Sequence, residues 1–344
     1  ATDRTWHNPS GLYAAATAAR DLLEDCRDRL AGIVDCDPGR VVFTAGATAA
    51  VNALARHVAG TAAAGSRAIL SAIEHPCVAE SFAAALPGRV EEITVDREGV
   101  VRIDAVEAVL DGQPKTPAIV SVMAASNESG AIQPWQAIAA VCRTRGVPFH
   151  ADAAQWLGKC PARGLGECDW VTGSGHKFGG PKGVGFLIVP ESGTAFRGDR
   201  GGPQEHGRHA GTENVAAIAA MVAALEAREA EIAAGTAAWA AARDAAERRL
   251  RERIPGAVVI SANAPRLWNT LALVIPGGDG KKLVARLNRL GIAASTGSAC
   301  SAGADASPRI VAAIGATAFG VAPADLRGVV RLSGGWETTY EDWL

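Results

Sequence analysis

The chain has 344 residues, of which 34 are lysine or arginine and 36 are aspartate or glutamate, so its formal net charge is -2. A balance this close to neutral argues against a dedicated nucleic-acid-binding protein, because phosphate contacts need a basic surface. Hydrophobic residues make up 48% of the chain, a globular value, and no apolar run reaches the roughly 18 residues of a membrane span. We therefore expect a folded protein whose partners are neither nucleic acid nor a membrane.

The seven cysteines are odd in number, widely spaced and never arranged as Cys-x-x-Cys. This pattern favours reduced thiols over a disulfide framework or a zinc site. The sequence also opens without a charged segment followed by an apolar one, which a secretory leader would have. Together these features predict a cytoplasmic protein without a bound metal.

Short apolar runs alternate with segments of helical periodicity up to about residue 235. Each run is bounded by Gly, Pro, Asn or Asp, which is typical of strands. The predicted strands cover 40–44, 67–73, 89–95, 118–123, 147–150, 169–172 and 184–189. The predicted helices between them cover 47–57, 77–86, 104–110 and 135–145. This alternation predicts an α/β fold: a large domain over 11–235, with a mainly parallel sheet covered by helices, behind an N-terminal arm of residues 1–10.

A smaller α+β domain is predicted over residues 236–344. An alanine-rich helical stretch over 212–253 is interrupted by Gly235, close to the proposed boundary. Beyond it, the pattern predicts strands over 258–260, 270–275 and 329–332 and helices over 279–290 and 308–314.

Lys177 and Asp152 lie at the ends of two consecutive predicted strands. Glycines flank Lys177, one of only six lysines, so a ligand can approach it closely. An aspartate at such a position suits a protonated pyridine nitrogen, the partner that pyridoxal phosphate requires. Taken alone, Lys177 would be a surface lysine and Asp152 a helix N-cap. Their placement on neighbouring strand ends favours a cofactor site.

Three weaker signals follow other predicted strands. Gly46-Ala47-Thr48 enters a helix, whose N-terminal amides can hold a phosphate, although ordinary capping is the simpler explanation. His75 is either a solvated loop residue or a ring that stacks on an aromatic cofactor. Asn127 is either a turn residue or a hydrogen-bond donor to a ligand.

Cys300 and Arg331 are the candidate groups of the smaller domain. Cys300 lies in a polar, glycine-bearing segment, 295–303, which is typical of an accessible nucleophilic thiol. The other six cysteines lie in or beside apolar patterns, and we interpret them as structural. Arg331 lies in an apolar predicted strand, where it is either exposed at an edge or paired with an anion such as a substrate carboxylate.

Nine short motifs extend these signals over nearly the whole chain: Asn8-Pro9-Ser10, Gly46-Ala47-Thr48, Glu74-His75, Asn127-Glu128-Ser129-Gly130, His150-Ala151-Asp152-Ala153-Ala154-Gln155, Ser174-Gly175-His176-Lys177, Ala210-Gly211-Thr212-Glu213-Asn214, Gly297-Ser298-Ala299-Cys300 and Val330-Arg331-Leu332-Ser333. In this order they resemble the motifs of cysteine desulfurases of the nitrogen-fixation and iron–sulfur-assembly type, within the class V, fold type I family of enzymes that use pyridoxal 5'-phosphate (PLP). Each motif is weak alone, whereas nine in the family's order are specific.

The resemblance implies a role for each candidate residue. Lys177 would bind PLP covalently and remove the Cα proton of L-cysteine. The sulfur would pass to Cys300 as a persulfide, and L-alanine would leave. The other implied contacts are ring stacking by His75, the pyridine nitrogen at Asp152, the phenolic oxygen at Gln155, the phosphate at Ala47, Thr48, Ser174 and His176, and the substrate carboxylate at Arg331 and Asn127 together with Asn8.

The resemblance also implies partners. Thr212 would reach the phosphate of a neighbouring subunit, which implies a homodimer with shared sites. The persulfide sulfur would go to an iron–sulfur scaffold protein or another acceptor. His206 and His209 stand where the family has arginines, so phosphate binding there is expected to be weaker or pH-dependent.

Several alternatives share the fold. A selenocysteine lyase, a cystine C–S lyase and a class V aminotransferase are the nearest, and a thiol in the Gly-Ser-Ala-Cys segment favours the desulfurase because an aminotransferase needs none there. A catalytically silent sulfur-relay or scaffold-binding protein is the non-enzyme alternative. The presence of Lys177, Asp152 and Cys300 argues against it.

Overall fold

The computed structural model describes residues 6–191, 195–297 and 308–344, so Cys300 lies outside the described residues. Its main element is a seven-stranded sheet in the order β1-β7-β6-β5-β4-β2-β3. Only β7 is antiparallel to its neighbours in this sheet, which confirms the predicted mainly parallel α/β fold. The strands are β1 Val41–Thr44, β2 Ala68–Ser71, β3 Val90–Ile93, β4 Ile119–Ser121, β5 Phe149–Asp152, β6 Trp170–Ser174 and β7 Gly185–Ile188.

Helices cover both faces of this sheet because successive strand residues point in opposite directions. Val41 and Phe43 belong to one hydrophobic core, and Val42 between them belongs to the other. The first core includes residues of α1, α4, α5 and α6, and the second includes residues of α2 and α3. These helices are α1 Ala14–Val34, α2 Ala47–Thr61, α3 Pro76–Ala85, α4 Ile103–Asp111, α5 Trp135–Thr144 and α6 Val215–Ala234.

Helix α1 was not predicted from the sequence. Its core-facing side carries Leu23, Leu30 and Val34 at helical spacing, but the same side buries Arg27, which is 2% exposed. Arg27 forms a two-point ion pair with the buried Glu205, at 2.9 and 3.0 Å. Arg27 interrupts the apolar stripe of α1 and hides its helical periodicity. Its partner Glu205 lies 178 residues away, so the local sequence gives no sign that Arg27 is buried.

A second sheet follows the large one. Its three antiparallel strands, β8 Val258–Val259, β9 Thr270–Val274 and β10 Val329–Ser333, lie in the order β10-β9-β8. The accompanying helices are α7 Ala237–Arg253, α8 Gly280–Arg289, α9 Arg309–Ile314 and α10 Tyr340–Trp343. Gly235 separates α6 from α7, as expected. The division into domains at this residue stays a prediction.

The two sheets meet through one shared hydrophobic cluster. It joins Ile73 and Met123, which follow β2 and β4 of the large sheet, to Ile310 of α9 and Val329 of β10. Met123 also lines the cavity described below. The cluster therefore places Arg331, on β10, beside the carboxyl ends of the parallel strands.

Candidate active site

The carboxyl ends of the parallel strands border a cavity of about 690 Å³. Segments that follow β1, β2, β4, β5 and β6 each contribute to its lining, as is usual for ligand sites in open α/β sheets. The structure brings together ten of the predicted site residues: Ala47, Thr48, His75, Asn127, Asp152, Gln155, Ser174, His176, Lys177 and Arg331.

The N-terminus of α2 forms one wall of the cavity. Gly46 precedes the helix with φ of 140°, a conformation that an L side chain rarely adopts, and no side chain caps the helix. The first backbone N–H groups of α2 therefore remain available to a ligand. Ser174 also lines this cavity, and its hydroxyl lies 3.0 Å from Nδ1 of His176. This arrangement suits a phosphate group.

Asp152 ends β5 and is only 5% exposed. Its Oδ1 accepts hydrogen bonds from the Ala154 backbone at 3.0 Å and the Thr172 hydroxyl at 3.3 Å. Burial raises the pKa of its carboxyl, although these bonds and the nearby His75 and Lys177 act in the opposite direction. A buried carboxylate is stabilised by a cationic partner, so the site suits a protonated pyridine ring.

A buried hydrogen-bond chain supports Asp152 from below. Nδ1 of His150 lies 2.8 Å from the Ser121 hydroxyl, and Nε2 lies 3.2 Å from the Thr172 hydroxyl. Burial lowers the pKa of His150 to about 3, so its ring is neutral. Because Thr172 donates to Asp152, its oxygen accepts from Nε2–H of His150, and Ser121 donates to Nδ1. These hydrogen bonds thus direct the hydroxyl hydrogen of Thr172 toward the carboxylate of Asp152.

His75 caps α3 and is half-buried. Its Nδ1 accepts a hydrogen bond of 3.2 Å from the Cys77 backbone, which leaves the ring proton on Nε2. Burial lowers the pKa of His75, which favours the neutral ring. An uncharged imidazole on the cavity wall is compatible with stacking on an aromatic ring.

Lysine is concentrated at this site. Lys159, Lys177 and Lys182 all line the cavity, three of the six lysines in the chain. Lys177 is exposed to the cavity, whereas Lys159 is 8% exposed and donates a 3.3 Å hydrogen bond to the Lys177 carbonyl. Burial, followed by the charge of Lys177, lowers the pKa of Lys159 to about 8. Sequence reasoning missed Lys159, although the scarcity of lysine could have indicated it.

Glu74 is a second residue to which the sequence assigned no role. It is fully buried between β2 and β4, where Oε1 accepts from the Ser71 hydroxyl at 2.9 Å and from the Met123 backbone at 2.7 Å. No described residue forms a hydrogen bond with its Oε2. Burial, followed by the charge of Asp152, raises the pKa of Glu74 to about 8. The neutral acid is therefore the main form at neutral pH.

Arg331 is half-buried on β10 and lines the opposite side of the cavity. Its Nη1 donates a 2.6 Å hydrogen bond to the Asn127 carbonyl. Its backbone pairs with Ser295 in both directions, at 2.7 and 3.1 Å. The arginine thus joins the large sheet to the chain segment that leads toward Cys300.

The remaining predicted residues lie elsewhere. The Asn8 side chain is exposed, accepts a hydrogen bond from the Ser10 backbone and does not line the cavity. Thr212 is exposed and lines a smaller neighbouring cavity of about 170 Å³, which also includes His209. Cys300 lies outside the described residues. The roles predicted for these three residues stay predictions.

The structural interpretation of the other cysteines needs one correction. Burial raises the pKa of the thiols of Cys26, Cys36, Cys142, Cys160 and Cys168, as expected of structural cysteines. Cys77, by contrast, lines the cavity at the first turn of α3. The apolar residues that follow it pack below the helix, which is why the local pattern did not distinguish it.

Comparisons with known proteins agree with this geometry. A family model described as aminotransferase class-V matches residues 4–342. The chain belongs to this family. It is 36% identical to a cysteine desulfurase of Gluconacetobacter diazotrophicus over 86% of this chain and 74% of the relative. It is 31% identical to the cysteine desulfurase IscS of Dictyoglomus turgidum over 97% and 84%, respectively. A solved structure of a NifS-like protein is 29% identical and superimposes with a TM-score of 0.85 over 98% of this chain and 88% of that one.

Members of the class-V family use pyridoxal phosphate. The residues of this cavity fit that cofactor: free amides and hydroxyls for a phosphate, a buried carboxylate for a pyridinium, and an accessible lysine. In the described part of the chain, three or more His, Cys, Asp or Glu side chains do not come together as a metal site would require. No helix among the described residues has the length and apolar run needed to cross a membrane.

Proposed function

We propose that this protein is a cysteine desulfurase, which converts L-cysteine to L-alanine and transfers the sulfur to Cys300. The observation that carries the proposal is that Lys177, Asp152 and Arg331 line one cavity, while the backbone of Arg331 pairs with Ser295, five residues before Cys300. Candidate groups for the cofactor and the substrate thus line one cavity, and Ser295, which precedes Cys300 in the chain, pairs with one of them.

Pyridoxal phosphate, when bound, supplies an electron-withdrawing ring that stabilises negative charge at the substrate Cα. Asp152 would hold the pyridine nitrogen in its protonated form, with the hydrogen-bond chain through Thr172 and His150 fixing the carboxylate. His75 would stack on the ring and Gln155 would bind its phenolic oxygen. The phosphate would lie at the N-terminus of α2, with Thr48, Ser174 and His176 around it.

Arg331 would bind the substrate carboxylate, because a guanidinium forms two parallel hydrogen bonds with such a group. Asn127 is held beside it by the contact between the Asn127 carbonyl and Arg331. Lys177, exposed to the cavity, would bind the cofactor and carry the proton removed from Cα. Asn8 does not line this cavity, so the support for its contact with the substrate is the family resemblance alone.

Cys300 would complete the reaction as the nucleophile. Its thiolate attacks the substrate sulfur, a new S–S bond forms, and the Cβ–S bond breaks. Cβ takes up a proton and becomes the methyl group of L-alanine, so the reaction needs no external oxidant. Two residues, Ser298 and Ala299, separate Gly297 from Cys300, so covalent geometry limits their Cα separation to about 11 Å. Gly297 itself lies two residues from Ser295, which pairs with Arg331.

We also propose the partners that the resemblance implies. Thr212 lies on an exposed surface next to the cofactor cavity, since the small cavity shares Ala45 and Gly183 with the large one. That position supports a homodimer in which Thr212 of one subunit contacts the phosphate of the other. The sulfur acceptor would be an iron–sulfur scaffold or another protein, and the thiols of the described cysteines, none in a disulfide, support a reducing cytoplasmic compartment.

The deciding experiment follows the sulfur. Wild-type protein loaded with pyridoxal phosphate receives L-cysteine, and L-alanine, sulfide and the mass of each cysteine peptide are measured. We expect alanine in proportion to a sulfur adduct on the Cys300 peptide. Cys300→Ser should form neither, while Cys36→Ser, a matched control at a half-buried structural thiol, should behave as wild type. Sulfide released equally by wild type and Cys300→Ser would indicate a C–S lyase instead.

A further inference from the structure

Glu128 is a buried carboxylate that the cofactor and substrate contacts leave unexplained. It follows Asn127 in the turn after β4 and is 7% exposed. Its Oε2 accepts a hydrogen bond of 2.8 Å from the Ile310 backbone, in the first turn of α9. The residue before α9, Pro308, has no side chain that can cap the helix. Glu128 therefore caps α9 from 182 residues away in sequence.

The same turn also contacts the segment on the other side of Cys300. The Asn127 carbonyl accepts the hydrogen bond from Arg331, whose backbone pairs with Ser295. Ser295 precedes the undescribed segment 298–307, and Ile310 follows it. Two adjacent residues, Asn127 and Glu128, are thus linked to both ends of the segment that contains Cys300.

Both ends lie close together and against the large sheet. A Cβ placed on Gly297 would lie 2.6 Å from the ring of Pro308. The two residues that border segment 298–307 are therefore in contact. Arg309 donates a 3.4 Å hydrogen bond to the Ala72 carbonyl and forms a 2.9 Å ion pair with Glu92. The start of α9 is therefore fixed to the large domain by several contacts, of which the one to Glu128 is the buried one.

The turn that carries Glu128 is itself well fixed. The Ser126 hydroxyl accepts hydrogen bonds from the backbones of Glu128 and Ser129, both at 3.2 Å. The Gly130 backbone donates to the Ser126 carbonyl at 3.0 Å. All three of Ser126, Glu128 and Ser129 are buried. A group held in such a turn sets a position rather than adapting to its partner.

We infer that Glu128 is a positioning residue, which fixes the start of α9, and with it the far end of the Cys300 segment, relative to the substrate contacts Asn127 and Arg331. This inference rests on the proposed function. Loss of the cap leaves the Ile310 N–H without its acceptor and removes the buried contact among those that hold the start of α9. The rate of attack by the Cys300 thiol depends steeply on where that thiol is placed relative to the substrate sulfur. Binding of L-cysteine and removal of its Cα proton do not involve Cys300.

The test compares Glu128→Ala with Glu128→Gln in the enzyme loaded with pyridoxal phosphate. Glu92→Gln, which breaks an exposed ion pair to the same helix, is the matched control. Three quantities are measured: the dissociation constant of L-cysteine from the cofactor spectrum, exchange of the Cα hydrogen with deuterated solvent, and the single-turnover rate of persulfide formation on Cys300.

We expect Glu128→Ala to slow persulfide formation at least tenfold and to change cysteine binding and Cα exchange by less than threefold. Glu128→Gln keeps an oxygen acceptor for Ile310 and should stay within threefold of wild type in all three measurements, as should Glu92→Gln. If the alanine variant does not fold, Glu128→Asp, whose shorter side chain does not reach Ile310, carries the same expectation.

Persulfide formation at the wild-type rate in Glu128→Ala would overturn the inference and leave the proposed function intact. So would a parallel loss of binding, exchange and persulfide formation, because that pattern marks a general structural role. A wild-type enzyme that exchanges the Cα hydrogen but forms no persulfide would overturn the proposed function itself.

Discussion

Glu74 gives the most quantitative prediction, because its carboxyl is fully buried and its pKa is raised from 4.5 to about 8. In the folded protein it keeps its proton through pH 7, whereas in the unfolded chain it loses the proton near pH 4.5. The unfolded state therefore binds fewer protons over this range, and the free energy of unfolding falls as pH rises from about 4.5 to 8. The substitution Glu74→Gln keeps the shape of the neutral acid and removes this dependence.

The magnitude follows from the pKa difference. Between pH 6 and pH 8, ionisation of Glu74 should cost the wild type about 2 kcal/mol of stability, at 1.36 kcal/mol per unit and with half of the groups ionised at pH 8. For a chain of 344 residues, 1 kcal/mol corresponds to about 1.4 °C in the melting temperature. We therefore expect Glu74→Gln to melt close to wild type at pH 6 and about 3 °C above it at pH 8.

The assay is thermal unfolding of the cofactor-free protein at pH 6, 7 and 8, since a bound pyridinium would add a charge near Asp152. Glu252→Gln, an exposed carboxylate on α7, is the control and should give no such divergence. Glu74→Ala should melt below wild type at every pH, because the Met123 N–H and the Ser71 hydroxyl lose their acceptor. If the melting temperatures of wild type and Glu74→Gln differed by the same amount at pH 6, 7 and 8, the assignment of a neutral Glu74 would be refuted.

Three further substitutions test the site. Lys177→Ala should abolish alanine formation with little change in melting temperature, because the side chain is exposed; turnover near the wild-type rate would mean that another lysine carries the chemistry. Asp152→Asn should retain pyridoxal phosphate by absorbance but lose activity on the order of 10²-fold, and an unchanged rate at saturating cofactor would reduce Asp152 to a structural residue. Lys159→Met should melt above wild type at pH 7, where the buried ammonium is charged, and the gain should vanish toward pH 10, where the wild-type amine, with its pKa of about 8, is neutral. A gain that is constant from pH 7 to 10 would contradict the lowered pKa of Lys159.

The sequence alone located most of the cavity. Alternating strands and helices require a parallel sheet, and the carboxyl ends of parallel strands lie along one edge. Residues that follow such strands, such as Asp152 and Lys177, are then expected at the same edge, and the strand order, in which β5 and β6 are adjacent, makes these two neighbours. Arg331 could be chosen from its own strand because a charged residue in an apolar run is conspicuous. Apart from the strand order, these conclusions depend only on short sequence patterns: the alternation of strands with helices and the residues next to each strand.

The tertiary structure decided what depends on burial and on distant contacts. Glu74 and Lys159 are ordinary charged residues in the sequence. Burial in the folded protein raises the pKa of Glu74 and lowers the pKa of Lys159. The contact between Glu128 and Ile310 spans 182 residues, and that between Arg27 and Glu205 spans 178. No local pattern contains such pairs, because the free energy of a buried charge is set by the elements that the fold packs around it.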